Sequence, residues 1–305
     1  MGYQSFIGTD NFYRTKFLST FFIKYEYDLD AQQFLLNEYA KLCKNNILTK
    51  TFFELVNRYE KTIRTNIRNM LSEATVIASK GGIHHYALQL LLFIFMTKRL
   101  KYNCMKRGIS EMYDNLVLDL KYKCIECKLV KGVWGTFVPS WHVYFFKLEI
   151  LSFGVLQMHL TKGLEYKDNK ISINKEDAIL KVHIPRTGGR LDKEKVDEAY
   201  KKASEYYTKK HKLKRIIFIC ESWLLFPKNK EFLKETSNIY KFISDYKIYK
   251  VEYYQDYSQV WRLFDMDYTG DPDFLPTNTS FRRAYVDMIE NGEKLGDGYG
   301  IFVYE

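Results

Sequence analysis

The sequence predicts an α/β (α+β) chain: a helical N-terminal domain, residues 1–135, followed by a mixed-sheet C-terminal domain, residues 136–305. Three observations carry this. Apolar residues recur at helical spacing up to about residue 130, and beyond it they alternate in short runs bounded by turn residues. The later runs are separated by segments of helical length, as in a mixed sheet flanked by helices. The 305 residues give room for two domains at roughly 150 residues each, and 46% hydrophobic with 28% charged residues excludes fibrous and disordered classes.

In the first domain, Asp30 stands as a cap for a helix carrying Phe34, Leu35, Tyr39 and Leu42. Thr49 opens a second amphipathic helix with Phe52, Phe53, Val56, Tyr59, Ile63, Ile67 and Met70. Gly81-Gly82 breaks the chain before a third, His85 to Leu100, apolar nearly all round and therefore expected at the centre of a bundle. Ser110 caps a fourth, with Met112, Leu116, Leu120 and Ile125 inward. In the second domain, Trp141 to Leu151, Phe153 to Leu160 and Ala178 to Ile184 read as three successive antiparallel strands. The loop Pro185 to Leu191 leads into a helix from Asp192 to Lys210, with Val196, Ala199, Ala203 and Tyr207 inward. Arg215 to Glu221 is a buried-type strand, Lys230 to Tyr246 a helix, Tyr249 to Tyr254 a strand, Thr279 to Glu290 a helix and Gly300 to Tyr304 the last strand.

This order, β-β-β-α-β-α-β-α-β, resembles the GNAT acyltransferase fold. Four segments sharpen the likeness: FGVLQMHL at Phe153, VHIPRTGGRL at Val182, FICESWLLFPKN at Phe218 and FLPTNTSFRR at Phe274. Together they resemble the bacterial acyltransferase-domain family that joins a helical N-terminal domain to a GNAT-like C-terminal domain. The resemblance implies a sheet that splays between its fourth and fifth strands to admit acyl-coenzyme A, acetyl-CoA being the expected donor. It implies acyltransferase activity, and the function read for the chain is an N-acyltransferase acting on a small amine received in a cleft between the domains.

The residues suggest where such chemistry would sit. In Pro185 to Leu191 a strand ends, Gly188 and Gly189 permit close backbone approach, and a helix begins, which is the outline of a phosphate cradle. Arg186, Arg190 and Lys193 flank it with charge. The spacing departs from the usual Arg/Gln-x-x-Gly-x-Gly/Ala of GNAT loops, and a plain Gly-Gly turn is the competing reading. Backbone N–H groups from Val182 through His183 to Ile184 are candidate donors to a thioester oxyanion. Acyl transfer to an amine also needs a base for the ammonium proton and an acid for the thiolate. Gln157 and His159 lie two apart on one strand, Lys181 and His183 on its expected neighbour, so each pair shares a face. His159 and His183 are candidate bases, with structural hydrogen bonding as the alternative. Glu221, closing a buried-type strand at the cleft's expected mouth, is the preferred base; Glu149 is a weaker one. Tyr254 and Tyr257 are candidate acids, among 25 tyrosines that mostly serve packing. Ser222 lacks a Gly-x-Ser-x-Gly elbow.

Other classes are less well supported. Cys124-x-x-Cys127 supplies half of a zinc site, and no metal is expected. The formal charge of +10 divides into +8 for residues 1–140 and +2 for 141–305. The densest basic cluster, Lys98, Arg99, Lys101, Lys106 and Arg107, is expected in a connection between helices. No helix-turn-helix or RNA-binding aromatic signature accompanies it, so nucleic acid is not an expected partner. The longest apolar run, Tyr86 to Thr97, is too short to span a bilayer, the N-terminus has no signal-peptide pattern, and five cysteines suit reduced thiols; a cytoplasmic protein is expected. Two alternatives stay open: a GNAT-like binding module without catalysis, and nucleic-acid binding through the basic first domain.

Overall fold

The computed structural model describes residues 3–186 and 189–304. The chain forms two compact units that divide between Leu148 and Glu149.

The first unit is helical. α1 (Tyr3–Lys24), α2 (Leu29–Cys43), α3 (Asn46–Lys61), α4 (Ile67–Gly81) and α5 (His85–Arg107) are followed by a short 3-10 turn at Ser110–Met112, then by α6 (Tyr113–Lys131) and α7 (Pro139–Phe146). α5 is buried continuously from Ala87 to Thr97 and touches α2, α3, α4, α6 and α7, so the all-round apolar helix is the centre of the bundle. Several helix starts are set by side chains. Asn45 accepts hydrogen bonds from the N–H groups of Ile47 and Leu48, and His84 accepts from Tyr86, each satisfying donors left free in the first turn. Asp28, not Asp30, precedes α2. The basic cluster from Lys98 to Arg107 lies on the last turns of α5 rather than in a connection, because that helix runs two turns further than its apolar stretch.

Trp141 to Leu151, expected as a strand, is mostly α7. Pro139 occupies the first turn, where its missing N–H costs nothing, and His142, Val143, Phe145 and Phe146 are all buried. A run apolar on every side carries no period to read. Glu149 accordingly sits just before a strand rather than within one. Inside this unit His142 lies 3.5 Å from Asp119 and 3.5 Å from the Thr136 hydroxyl, wholly buried, and desolvation first, then Lys123, lowers its pKa to about 3. Cys124 and Cys127 are buried free thiols of α6.

The second unit contains β1 (Ile150–Phe153), β2 (Leu156–Thr161), the small ladder β3 (Tyr166–Lys167) with β4 (Ser172–Ile173), then β5 (Ile179–His183), α8 (Lys193–His211) and β6 (Ile216–Ser222). A 3-10 turn at Trp223–Leu225, α9 (Asn229–Phe232), α10 (Asn238–Ser244), β7 (Lys247–Tyr253), α11 (Trp261–Phe264), α12 (Ser280–Glu290) and β8 (Gly296–Tyr304) complete it. Six strands form one sheet in the order β1-β2-β5-β6-β8-β7. Every neighbouring pair is antiparallel except β5–β6, which is parallel. The strand and helix order expected from sequence is therefore present in this sheet, with β3–β4 as a separate hairpin between the second and third of the expected strands. The helix expected over Lys230 to Tyr246 is broken in two, because Ser237 turns out of line to cap α10 by accepting from Tyr240 N–H.

The sheet's two faces follow from register. Leu180, Phe218 and Phe302 are mutual cross-strand partners and so share a face, and Tyr200 of α8 sets its ring 4.8 Å from Phe218 and 5.0 Å from Phe302. Gly298 and Gly300 lie on this face too, opposite Ser222 and Cys220. A Cβ on Gly298 would stand 1.9 Å from the Leu225 carbonyl oxygen, so only glycine lets the 3-10 turn rest on β8. The other face carries Ile179, Ile217 and Ile301 at one end, closed over by Ile173 of the hairpin with Tyr166 packed alongside. At its other end it carries polar groups.

Candidate active site

The polar end is assembled by three ladders. Gln157 pairs with His183 and His159 with Lys181 across β2–β5, Lys181 pairs with Ile219 across β5–β6, and Glu221 pairs with Tyr299 across β6–β8. Side chains of paired residues lie on one face, and so do residues two apart. Gln157, His159, Lys181, His183, Glu221 and Tyr299 therefore share it.

The β5–β6 ladder is short. It ends at Val182–Cys220, whereas β6 continues to Ser222 in register with β8 and β5 continues to His183 in register with β2. Beyond Val182, the edge of β5 that faced β6 has no ladder partner, although His183 stays paired with Gln157 on the β2 side. The ladder that ends early lies between the third and fourth strands of this sheet in chain order, where the fourth and fifth were expected.

Glu221 meets a cation. Its Oε2 accepts from Lys181 Nζ at 2.5 Å, the carboxylate side chain being 37% exposed. The pair spans the two strands just where they diverge. His159 and His183 stand with ring centroids 6.4 Å apart and planes inclined by 27°. Desolvation first, then Lys181 and His159, takes His183 down to about 3, and desolvation also lowers His159. Both rings are neutral near pH 7, but a base works best with a pKa near the working pH, so His183 takes up a proton poorly. Tyr254 donates its hydroxyl to Asp297 Oδ1 at 2.6 Å, and burial followed by that bond raises its pKa. A phenol held this way gives up its proton less readily. Tyr257 donates to the Glu293 carbonyl.

Sequence reasoning missed Asp297 and the bond from Tyr299 to Glu252 Oε2 (2.6 Å), because it began the last strand at Gly300. The signal was the alternation Gly296-Asp-Gly-Tyr-Gly300, which puts small residues on one face and polar ones on the other.

In the loop after β5, Gly189 has φ +65°, a left-handed conformation that favours glycine. Gly188 lies outside the described residues. Arg186 pairs with Asp265, which also takes Arg282 at 3.0 Å, so this guanidinium ties the loop to the chain before α12. Lys193 pairs with Asp197 and Asp245, and Arg190 is mostly exposed, 3.8 Å from Asp192. The Asp192 side chain makes no capping bond to α8; it receives Lys195 and Asn238 instead. The residues thus provide a loop with a left-handed glycine, a long helix without a side-chain cap and one exposed guanidinium, features compatible with an anionic group. A cavity of about 420 Å³ is lined by Phe226, Lys228, Tyr253 and Glu293; of the candidates named here, Tyr257 reaches its lining, through the Glu293 carbonyl.

A helical unit joined to a mixed sheet with one parallel pair that opens at its C-terminal end defines a GNAT-type architecture. Residues 150–302 match the GNAT-like C-terminal domain family, and the chain belongs to it. Its fold is also similar to the crystal structure of an acyltransferase in complex with decanoyl-CoA and teicoplanin, at a TM-score of 0.70 and 18% identity, over 93% of this chain and 86% of that one. An acyltransferase mutant in complex with octanoyl-CoA gives 0.69 and 18% over the same shares. An acyltransferase in complex with CoA and 10C-teicoplanin gives 0.60 and 20% over 73% of this chain and 68% of that one. No curated protein matches the chain. Among the described residues, no helix is long and apolar enough to cross a membrane, and no cluster of three or more His, Cys, Asp or Glu is placed to hold a metal.

Proposed function

We propose that the chain transfers an acyl group from an acyl-CoA thioester to an amine of an acceptor molecule. The observation that carries this reading is the early end of the β5–β6 ladder at Val182–Cys220. A pantetheine arm entering there meets the edge of β5 past Val182, where one backbone N–H of the His183-Ile184 segment, the one turned toward that edge, is the donor for the thioester oxygen as it gains charge. Arg190 and the backbone around Gly188 and Gly189 receive the phosphates, with Arg186 contributing through the loop position it fixes. In the reaction, a base removes a proton from the ammonium, the free amine attacks the thioester carbonyl, the C–S bond breaks as the C–N bond forms, and the departing thiolate takes up a proton. Glu221 is the preferred base, acting directly or through water, with His159 and His183 as alternatives. The Tyr254–Asp297 bond favours a positioning role for Tyr254 over proton donation.

For the donor, octanoyl- and decanoyl-CoA in the similar structures support a chain longer than acetyl. For the acceptor, the glycopeptide teicoplanin in one of them supports an amine carried on a larger molecule than the small amine expected from sequence. Calorimetry with decanoyl-, acetyl- and free CoA tests the reading: decanoyl-CoA is expected to bind more tightly than the other two. No heat of binding with any of them at millimolar concentration would leave the non-catalytic binding module in its place.

A further inference from the structure

Gln157 stands on β2 opposite Ser152 of β1 and His183 of β5. It is 1% exposed, and neither its amide nitrogen nor its amide oxygen has a hydrogen-bond partner among the described residues. Burying both ends of a carboxamide unpaired is unfavourable, and an apolar side chain of similar volume avoids that cost entirely. Its cross-strand neighbours on the same face, Ser152 and His183, are themselves polar, yet neither amide end bonds to them. Gln157 shares a face with Lys181, His183 and Glu221, and it lies beside the strand whose far edge is released beyond Val182.

A carboxamide presents an N–H donor and a C=O acceptor side by side. The complementary partner presents an acceptor and a donor side by side, and one residue of an extended peptide does so, since its own N–H and C=O point the same way. We propose that Gln157 is an acceptor-recognition residue that pairs with the N–H and C=O of one residue in an extended peptide segment of the acyl acceptor. This rests on the acyl-transfer reading, and it names the acceptor class as peptide-bearing amines.

The test compares wild type with Gln157→Met in three measurements: thermal unfolding of the free protein, calorimetry with decanoyl-CoA, and transfer from decanoyl-CoA to teicoplanin, to tripeptide amides and to the non-peptide amine spermidine. Expected are an unfolding midpoint that stays level or rises, unchanged decanoyl-CoA affinity, and a KM for the peptide acceptors raised about tenfold or more at nearly constant kcat. Transfer to spermidine, where detectable, should not change. A midpoint lowered by more than about 3 °C would make Gln157 a structural residue. Weakened decanoyl-CoA binding would assign the amide to the donor, and unchanged peptide KM values would leave Gln157 without a role in recognition; each of these overturns the proposal. Failure of wild type itself to bind decanoyl-CoA is a separate result, which strikes at the acyl-transfer reading.

Discussion

The two faces of the six-stranded sheet are built from the same strands and differ in almost every other respect. Under α8, Phe218 and Phe302 stack at 5.8 Å, Tyr200 leans on both, and its hydroxyl meets that of Tyr246 at 2.8 Å. Glycines on β8 let a turn close over the surface. On the opposite face, the end nearest the opening carries two histidines, an ion pair and an amide without a hydrogen-bond partner among the described residues. One face holds the strands in place; the other gathers polar groups beside the early end of the β5–β6 ladder. Alternation along a strand lets a single segment do both, because neighbouring residues point to opposite sides.

If that division is real, changes on the two faces should separate stability from activity. The largest effect on folding is expected from Gly298→Ala, whose Cβ meets the backbone of Leu225 and cannot be accommodated by a side-chain shift. Urea unfolding should register a loss of about 3 kcal/mol, and an unchanged midpoint would mean that the turn lifts off β8 freely. On the other face, Glu221→Gln should cut kcat by about a hundredfold through loss of a base. Its stability should stay within about 0.5 kcal/mol of wild type, since exposed ion pairs contribute little. Equal turnover would pass the role to His159 or His183.

The smallest effect is a pH dependence. In the unfolded chain His183 takes a proton below its ordinary value of 6.5, whereas burial in the fold holds it back to about 3. Its contribution is complete above pH 6.5 and is lost as pH falls from there toward 3. His142 adds to the same trend from the helical unit. Unfolding midpoints between pH 7 and pH 5 should therefore fall less steeply for His183→Gln than for wild type. Identical slopes would place the ring in contact with water.

Much of this architecture was legible in the sequence where polarity alternates or an apolar run has the length of a strand. β2 came out within a few residues because apolar and polar residue types alternate along it, β5 and β6 because each is a short, mostly apolar run of strand length, and α5 announced its central place by being apolar nearly all round along its first turns. Legibility failed where one residue class fills every position, as in α7, and where glycine conceals a strand, as in the first half of β8. At the site, the sequence put Gln157, His159, Lys181 and His183 on one face, since that needs only the period of a strand. It did not reveal that Lys181 reaches Glu221, or that Asp297 receives Tyr254, because pairings across strands depend on register. Nor did it give the ion pair from Arg186 to Asp265, which joins positions far apart in the chain.

β7 bounds the sheet on one side and pairs only with β8. An unpaired strand edge invites a second molecule to add its own strand, the first step toward open-ended assembly. Here the edge carries Lys247, Lys250 and Glu252, and its register slips between Ile248 and Lys250, breaking the regular spacing of free backbone groups. Charge and irregularity together make this border a poor template for a further strand.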